Sequence, residues 1–154
     1  MGETIMAEQL ESRNILPLTE QWEHWIPREN LARRYHVKSV IEDEEGLTIL
    51  LVEDKREDRG LKVSFGYAAD AYRSTYETLR HMLVMQLDEK YGTEFYSKWT
   101  FFRVINSPYK KWLTEQAAGI IDDTEYKHFA FLTPDLILDV LSQDDPVISD
   151  MTFM

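Results

Sequence analysis

The chain has no cysteine in its 154 residues. That excludes a disulfide scaffold, a thiolate nucleophile and any cysteine-ligated metal site. Glycine and proline are sparse, six and five residues, so there is no collagen-like repeat and no low-complexity linker. No apolar run approaches the roughly 20 residues of a membrane-spanning helix. The first 16 residues carry Glu3, Glu8 and Glu11 and lack a basic region followed by an apolar stretch, a pattern unlike a secretory signal. A cytoplasmic address is the expectation that follows.

Basic residues are also scarce: 17 against 28 acids, a formal net charge of −11. From Ile121 to Met154 eight acids face Lys127 alone, whereas the first 120 residues hold 20 acids and 16 bases. Such a surface repels phosphate backbones, so nucleic acid is not an expected partner, and a basic protein is. Solubility is the plainer role for the same charge.

What the chain does have is the composition of a folded domain, 44% hydrophobic and 12% aromatic. At this length one core buries roughly 70% of the unfolded surface. The expected divisions are a partly frayed N-terminal helical segment over 1–35, a core domain over 36–142 and an acidic tail over 143–154. In the first segment Met6 and Leu10 share a helix face, and Trp22, Trp25 and Ile26 cluster if helical.

From Val37 the period becomes two. Strands over 37–42, 47–52 and 61–67, separated by turns at Glu44–Gly46 and Lys55–Gly60, form a three-stranded antiparallel meander. The middle one is apolar on both faces, which requires a covered surface on each side. Ser74 and Glu77 have capping-box spacing ahead of Tyr76, Leu79, Leu83 and Leu87, and Gly92 stops that helix. A strand over 100–105 leads to a helix capped by Ser107 with Pro108 at its first position and Tyr109, Trp112 and Leu113 inward. A strand over 128–132 then leads to a helix at Thr133-Pro134, carrying Leu136, Ile137, Val140 and Leu141. The fold class expected is α+β: an antiparallel sheet of about five strands, meander first, with three to four helices packed on it.

The chemistry-bearing candidates are few. Asp43 with Glu53-Asp54-Lys55 on the next strand has the acid, acid-x-lysine order that holds Mg²⁺ in nucleases. This is the enzymatic alternative, a metal-dependent hydrolase built on Asp43, Glu53 and Lys55. The triplet lies in a highly charged turn, no Pro-Asp precedes Asp43, and the acidic surface opposes a nucleic-acid substrate. His24, His36, His81 and His128 lack metal-ligand spacing, and His128, on an apolar strand, is the one expected to be buried and hydrogen-bonded. There is no G-x-S-x-G, P-loop or G-x-G-x-x-G, and no cofactor or metal is expected. Arg73, beside the expected helix start, is a candidate anion ligand, or else a partner of Asp70 or of an acid across the fold. The aromatics Trp99, Phe101, Phe102, Tyr109 and Trp112 are expected in the core.

The run Trp99-Thr100-Phe101-Phe102-Arg103-Val104-Ile105-Asn106-Ser107-Pro108-Tyr109, with Trp112-Leu113, Gly119-Ile120, His128–Pro134 and Ala71-Tyr72-Arg73-Ser74, is similar to small bacterial single-domain proteins. Some of these resemble immunity proteins encoded beside polymorphic toxins. The resemblance spans residues 36–142 and rests on caps and core positions, so it implies a fold more than an activity. Together with the charge it points to a non-enzymatic, protein-binding domain of immunity or antitoxin type, with Glu42, Asp43, Glu44, Glu45, Asp122, Asp123 and Asp139 as the acidic partner-facing residues. A homodimeric structural module is the remaining alternative.

Overall fold

A computed structural model describes residues 15–154. The Met6 and Leu10 helix face lies outside the described residues. Over the described residues the chain is mixed α and β with nine strands, every pairing antiparallel. The strands are β1 (Gln21–His24), β2 (Tyr35–Asp43), β3 (Gly46–Glu53), β4 (Arg56–Gly66), β5 (Ala69–Tyr76), β6 (Phe101–Ile105), β7 (Lys127–Leu132), β8 (Leu136–Ser142) and β9 (Val147–Thr152). Among the described residues three α-helices accompany them: α1 (His81–Tyr91), α2 (Glu94–Ser97) and α3 (Pro108–Gln116).

The strands form two sheets rather than one, in the orders β1-β6-β7-β8-β5 and β2-β3-β4-β9. The meander β2-β3-β4 is as expected except that its second turn is shorter, since Arg56–Gly60 already belong to β4; Leu47, Ile49 and Leu51 of β3 and Leu61, Val63 and Phe65 of β4 are buried. These side chains meet Phe101, Phe129, Phe131, Leu138 and Val140 of the five-stranded sheet, so the main core lies between two sheets packed face to face. The opposite face of the five-stranded sheet presents Phe102, Val104, Ala130, Leu132 and Ile137, and α1 covers it with Leu83 and Leu87. The order of layers is thus helix, sheet, sheet. For β3 the expected cover is found on one side only: the five-stranded sheet buries Leu47, Ile49 and Leu51, whereas Thr48, Leu50 and Val52 on the other face are half-buried.

Four expectations are corrected. Residues 136–142 are strand β8, not a helix: Leu136, Ile137, Val140 and Leu141 fit helical spacing, but a central strand buried on both faces is apolar at nearly every position and fits it too. Thr133 caps the turn before it, its hydroxyl accepting the Leu136 N–H at 2.9 Å. Ser74 is no helix cap, because it lies in β5 opposite Leu138, and the helix begins only after a 3₁₀ turn at Glu77–Arg80. Leu83 and Leu87 face inward as expected, whereas Tyr76 and Leu79 are exposed. Of the expected N-terminal helical segment, the described part, residues 15–35, contributes β1 and no helix: Trp22 pairs with Val104, Trp25 packs on Phe129, and Ile26 is exposed. The tail, expected to be loose, forms β9 and completes the four-stranded sheet against β4, whose edge donors and acceptors would otherwise be unpaired.

Gly92 ends α1 with a positive φ of 92°, and Ser107 caps α3 by accepting the Lys110 N–H at 3.1 Å. Among the described residues no helix is long and apolar enough to cross a membrane.

Gly60 marks the tightest backbone approach between β3, β4 and the chain end. A Cβ there would lie 1.9 Å from the Leu51 carbonyl oxygen and 2.6 Å from the Phe153 ring. Gly60→Ala is therefore expected to lower the unfolding free energy by about 2 kcal/mol or more, measured by urea denaturation; an unchanged midpoint would contradict this packing.

Candidate functional site

The helix-facing side of the five-stranded sheet carries one polar line through its apolar surface. Alternation along β7 and β8 puts His128 and Asp139 on that side, diagonal to one another, while Phe129, Phe131, Leu138 and Val140 point into the sandwich. Asp139 is fully buried. Its Oδ1 accepts from His128 Nε2 at 2.7 Å, and its Oδ2 accepts from Arg73 Nε at 2.8 Å and from Arg80 Nη1 at 3.0 Å. Arg73 lies directly opposite Asp139 in the β5–β8 ladder, and Arg80 reaches it from the 3₁₀ turn entering α1. On the far side of the ring, His128 Nδ1 is 2.6 Å from Ser107 Oγ.

Isolated burial of a carboxylate is costly, and only paired donors make it tolerable. Burial by itself pushes the Asp139 carboxyl up, but the His128 hydrogen bond and charge, with the charges of Arg73 and Arg80, overcome it and hold the group well below the usual carboxylate range. The His128 ring is held edge-on between Trp22 and Tyr109, with centroids at 6.4 and 5.8 Å. The Arg73 guanidinium covers the Tyr109 ring at 4.2 Å. Burial raises the Tyr109 phenol pKa, with Arg73 opposing and Asp139 adding to the shift.

Serine, histidine and aspartate thus form a hydrogen-bonded chain with the connectivity of a hydrolase triad. Its surroundings do not suit acyl transfer. Ser107 is 1% exposed, its Oγ is already engaged by the Lys110 N–H, and it does not line the cavity beside His128. A nucleophile needs room for a carbonyl and oxyanion donors next to it, so the relay here serves to fix the His128 ring and, through it, Asp139.

Two cavities open on either side of a wall made by Tyr72, Tyr109 and Trp112. One, about 530 Å³, is lined by Arg73, Arg80, His128 and Trp22. The other, about 660 Å³, runs between the β2–β3 turn, the β4–β5 turn and α3, and holds Glu42, Asp43 and Asp70. In this groove the Tyr72 hydroxyl donates to Glu42 at 2.8 Å, and the Tyr126 hydroxyl donates to Asp70. The hydrogen bond to Glu42 raises the Tyr72 phenol pKa, helped by burial and the Glu42 charge. Trp112, expected to face inward, is 50% exposed on the wall, while Phe101 and Phe102 are core as expected.

The structure separates other residues that the sequence groups. Asp43 pairs with Gly46 at one end of β3 and Glu53 lies at the other end, roughly 23 Å away along the strand, so Asp43, Glu53 and Lys55 do not form one metal site. No group of three His, Asp or Glu side chains able to hold a metal occurs among the described residues. Of the acidic partner-facing candidates, Glu42, Asp43, Glu44, Glu45 and Asp122 are exposed and Asp123 is half-buried, but Asp139 belongs to the interior. Arg73 pairs with an acid across the fold, Asp139, and not with Asp70. Arg80 carries no motif and escapes sequence reasoning. Asp139 left a signal: it is the single acid within the Leu136–Leu141 run, and a carboxylate inside a strand buried on both faces requires partners.

Compared with protein families, curated proteins and solved structures, the chain shows no match.

Breaking the buried network is expected to be severe. Asp139→Asn costs about 3–5 kcal/mol at neutral pH, because two arginines lose their carboxylate. Since the folded-state pKa is lowered, this stability is present above the ordinary carboxylate value and is lost as pH falls below about 4. Denaturant midpoints across pH should show the gap between wild type and variant narrowing toward low pH; a gap constant down to about pH 3 would contradict the assignment. For Ser107, incubation with a fluorophosphonate probe should leave the side chain unmodified in mass spectrometry, and stoichiometric labelling would restore it as a nucleophile.

Proposed function

We propose that this chain is a non-enzymatic binding domain whose acidic groove covers a basic segment of a partner protein. The observation that carries this reading is the pairing of charge with aromatic surface. Glu42, Asp43 and Asp70 line one groove, none forms an ion pair among the described residues, and exposed Tyr67, Tyr72 and Trp112 lie beside them. Tyrosine and tryptophan anchor protein interfaces, and unpaired carboxylates around them select lysine or arginine and speed encounter. The net charge of −11 acts in the same direction over longer range.

An immunity or antitoxin role is one form of this activity: the domain would occlude a basic working surface of its partner. The buried Ser107–His128–Asp139 network gives α3 and β5, which carry the aromatic wall, a rigid base. Preorganised anchors reduce the entropy lost on binding.

The test compares groove and non-groove acids. Immobilised chain is exposed to host lysate at low and at moderate ionic strength, and retained proteins are identified by mass. The expected result is a stoichiometric basic protein, released by salt, retained by Asp58→Asn but lost with a Glu42→Gln/Asp43→Asn double variant and with Trp112→Ala. Retention that ignores both salt and the groove variants would overturn the proposal.

A further inference from the structure

The cavity on the other side of the aromatic wall has the opposite character, and the geometry points to a second, independent site there for a small organic anion: a carboxylate or phosphate carried on a planar ring. Only one donor of each guanidinium, Arg73 Nε and Arg80 Nη1, is committed to Asp139 among the described residues. An arginine has five N–H donors in a fixed fork, so both side chains retain donors for a second oxyanion. Asp139 holds them from beneath, which sets their orientation before any ligand arrives. Arg73 stays partly exposed, its side chain 45% accessible, so the fork is reachable.

Trp22 also lines this cavity, but its indole Nε1–H is covered by protein and out of a ligand's reach, so the ring adds apolar wall rather than a donor. The exposed face of Trp112, 50% accessible, offers a flat group a stacking surface; Tyr109 stacks behind it, centroids 5.8 Å apart and planes inclined by 27°, with its own ring already under the Arg73 guanidinium. The volume, about 530 Å³, suits a ring bearing one charged substituent. Glu20 is the one acid lining the cavity, and it pairs with neither arginine among the described residues. It repels an incoming anion and so sets a ceiling on affinity that can be lifted.

Calorimetric titration, with tryptophan fluorescence as a second readout, tests the site with benzoate, phenyl phosphate, inorganic phosphate and neutral benzamide. Saturable binding of benzoate or phenyl phosphate is expected, the tighter of the two identifying the headgroup, with no binding of benzamide and weaker binding of inorganic phosphate. Arg73→Gln should loosen the preferred acid by about tenfold or more, and Glu20→Gln should tighten it by about two- to fivefold. Arg73→Lys, which keeps a charge on Asp139 but loses the fork, should also bind weakly and serves where the glutamine variant fails to fold by circular dichroism. Asp43→Asn, in the acidic groove, should change nothing, which separates this site from the partner-binding reading. No saturable binding of either acid, equal binding of benzamide, or native-like Arg73 variants with unchanged affinity would overturn the proposal.

Discussion

A single carboxylate, Asp139, organises the helix-facing half of this molecule. It sits in the middle of a central strand with no solvent to share its charge, and four side chains answer it directly or through one another: Arg73 from the neighbouring strand, Arg80 from the turn entering α1, His128 from β7 and, behind it, Ser107 at the start of α3. A buried charge in this setting is not a source of net stability compared with an apolar residue of the same size; its consequence is that none of its partners can be withdrawn cheaply. Register between β5, β7 and β8, and the entry points of α1 and α3, are tied to one atom pair.

From that constraint the surface follows. Because Ser107 must reach His128, α3 starts where its Tyr109 and Trp112 stand beside Arg73. Because Tyr72 is next to Arg73 in an edge strand, its ring points to the other side and meets Glu42. The aromatic wall therefore separates a cationic cavity from an acidic groove over a short distance, and each gains its character from a different strand face. Neither requires a mobile element. The charge asymmetry comes from Arg73 of β5 and Arg80 of the 3₁₀ turn on one side of the wall and Glu42, Asp43 and Asp70 on the other.

How much of this could be read from residues alone varies with how local its cause is. The β2–β3–β4 meander, the Ser107 cap and the Gly92 stop are set by neighbours in sequence, and each appears where expected. The second sheet is not local. It is completed by β9 pairing with β4, as the five-stranded sheet is by β1 pairing with β6 across about eighty residues, and nothing in Val147–Thr152 alone distinguishes an edge strand from a loose tail. Leu136–Ser142 misleads for a different reason: burial on both faces erases the period that separates strand from helix. Asp139 groups with surface acids when charge is counted without burial, although a lone acid among five apolar neighbours should raise the question of its partners. The Asp43, Glu53 and Lys55 grouping fails on geometry, since a hairpin places its two ends far apart.

The most direct test of Asp139 as the organising group is a double-mutant cycle with Arg73, using Asp139→Asn, Arg73→Gln and the pair, followed by chemical denaturation. If the carboxylate holds Arg73 as described, the two substitutions are strongly non-additive, with a coupling of about 1 kcal/mol or more. Additivity within about 0.5 kcal/mol would mean that the two side chains act independently and that the helix-facing site is assembled by some other contact.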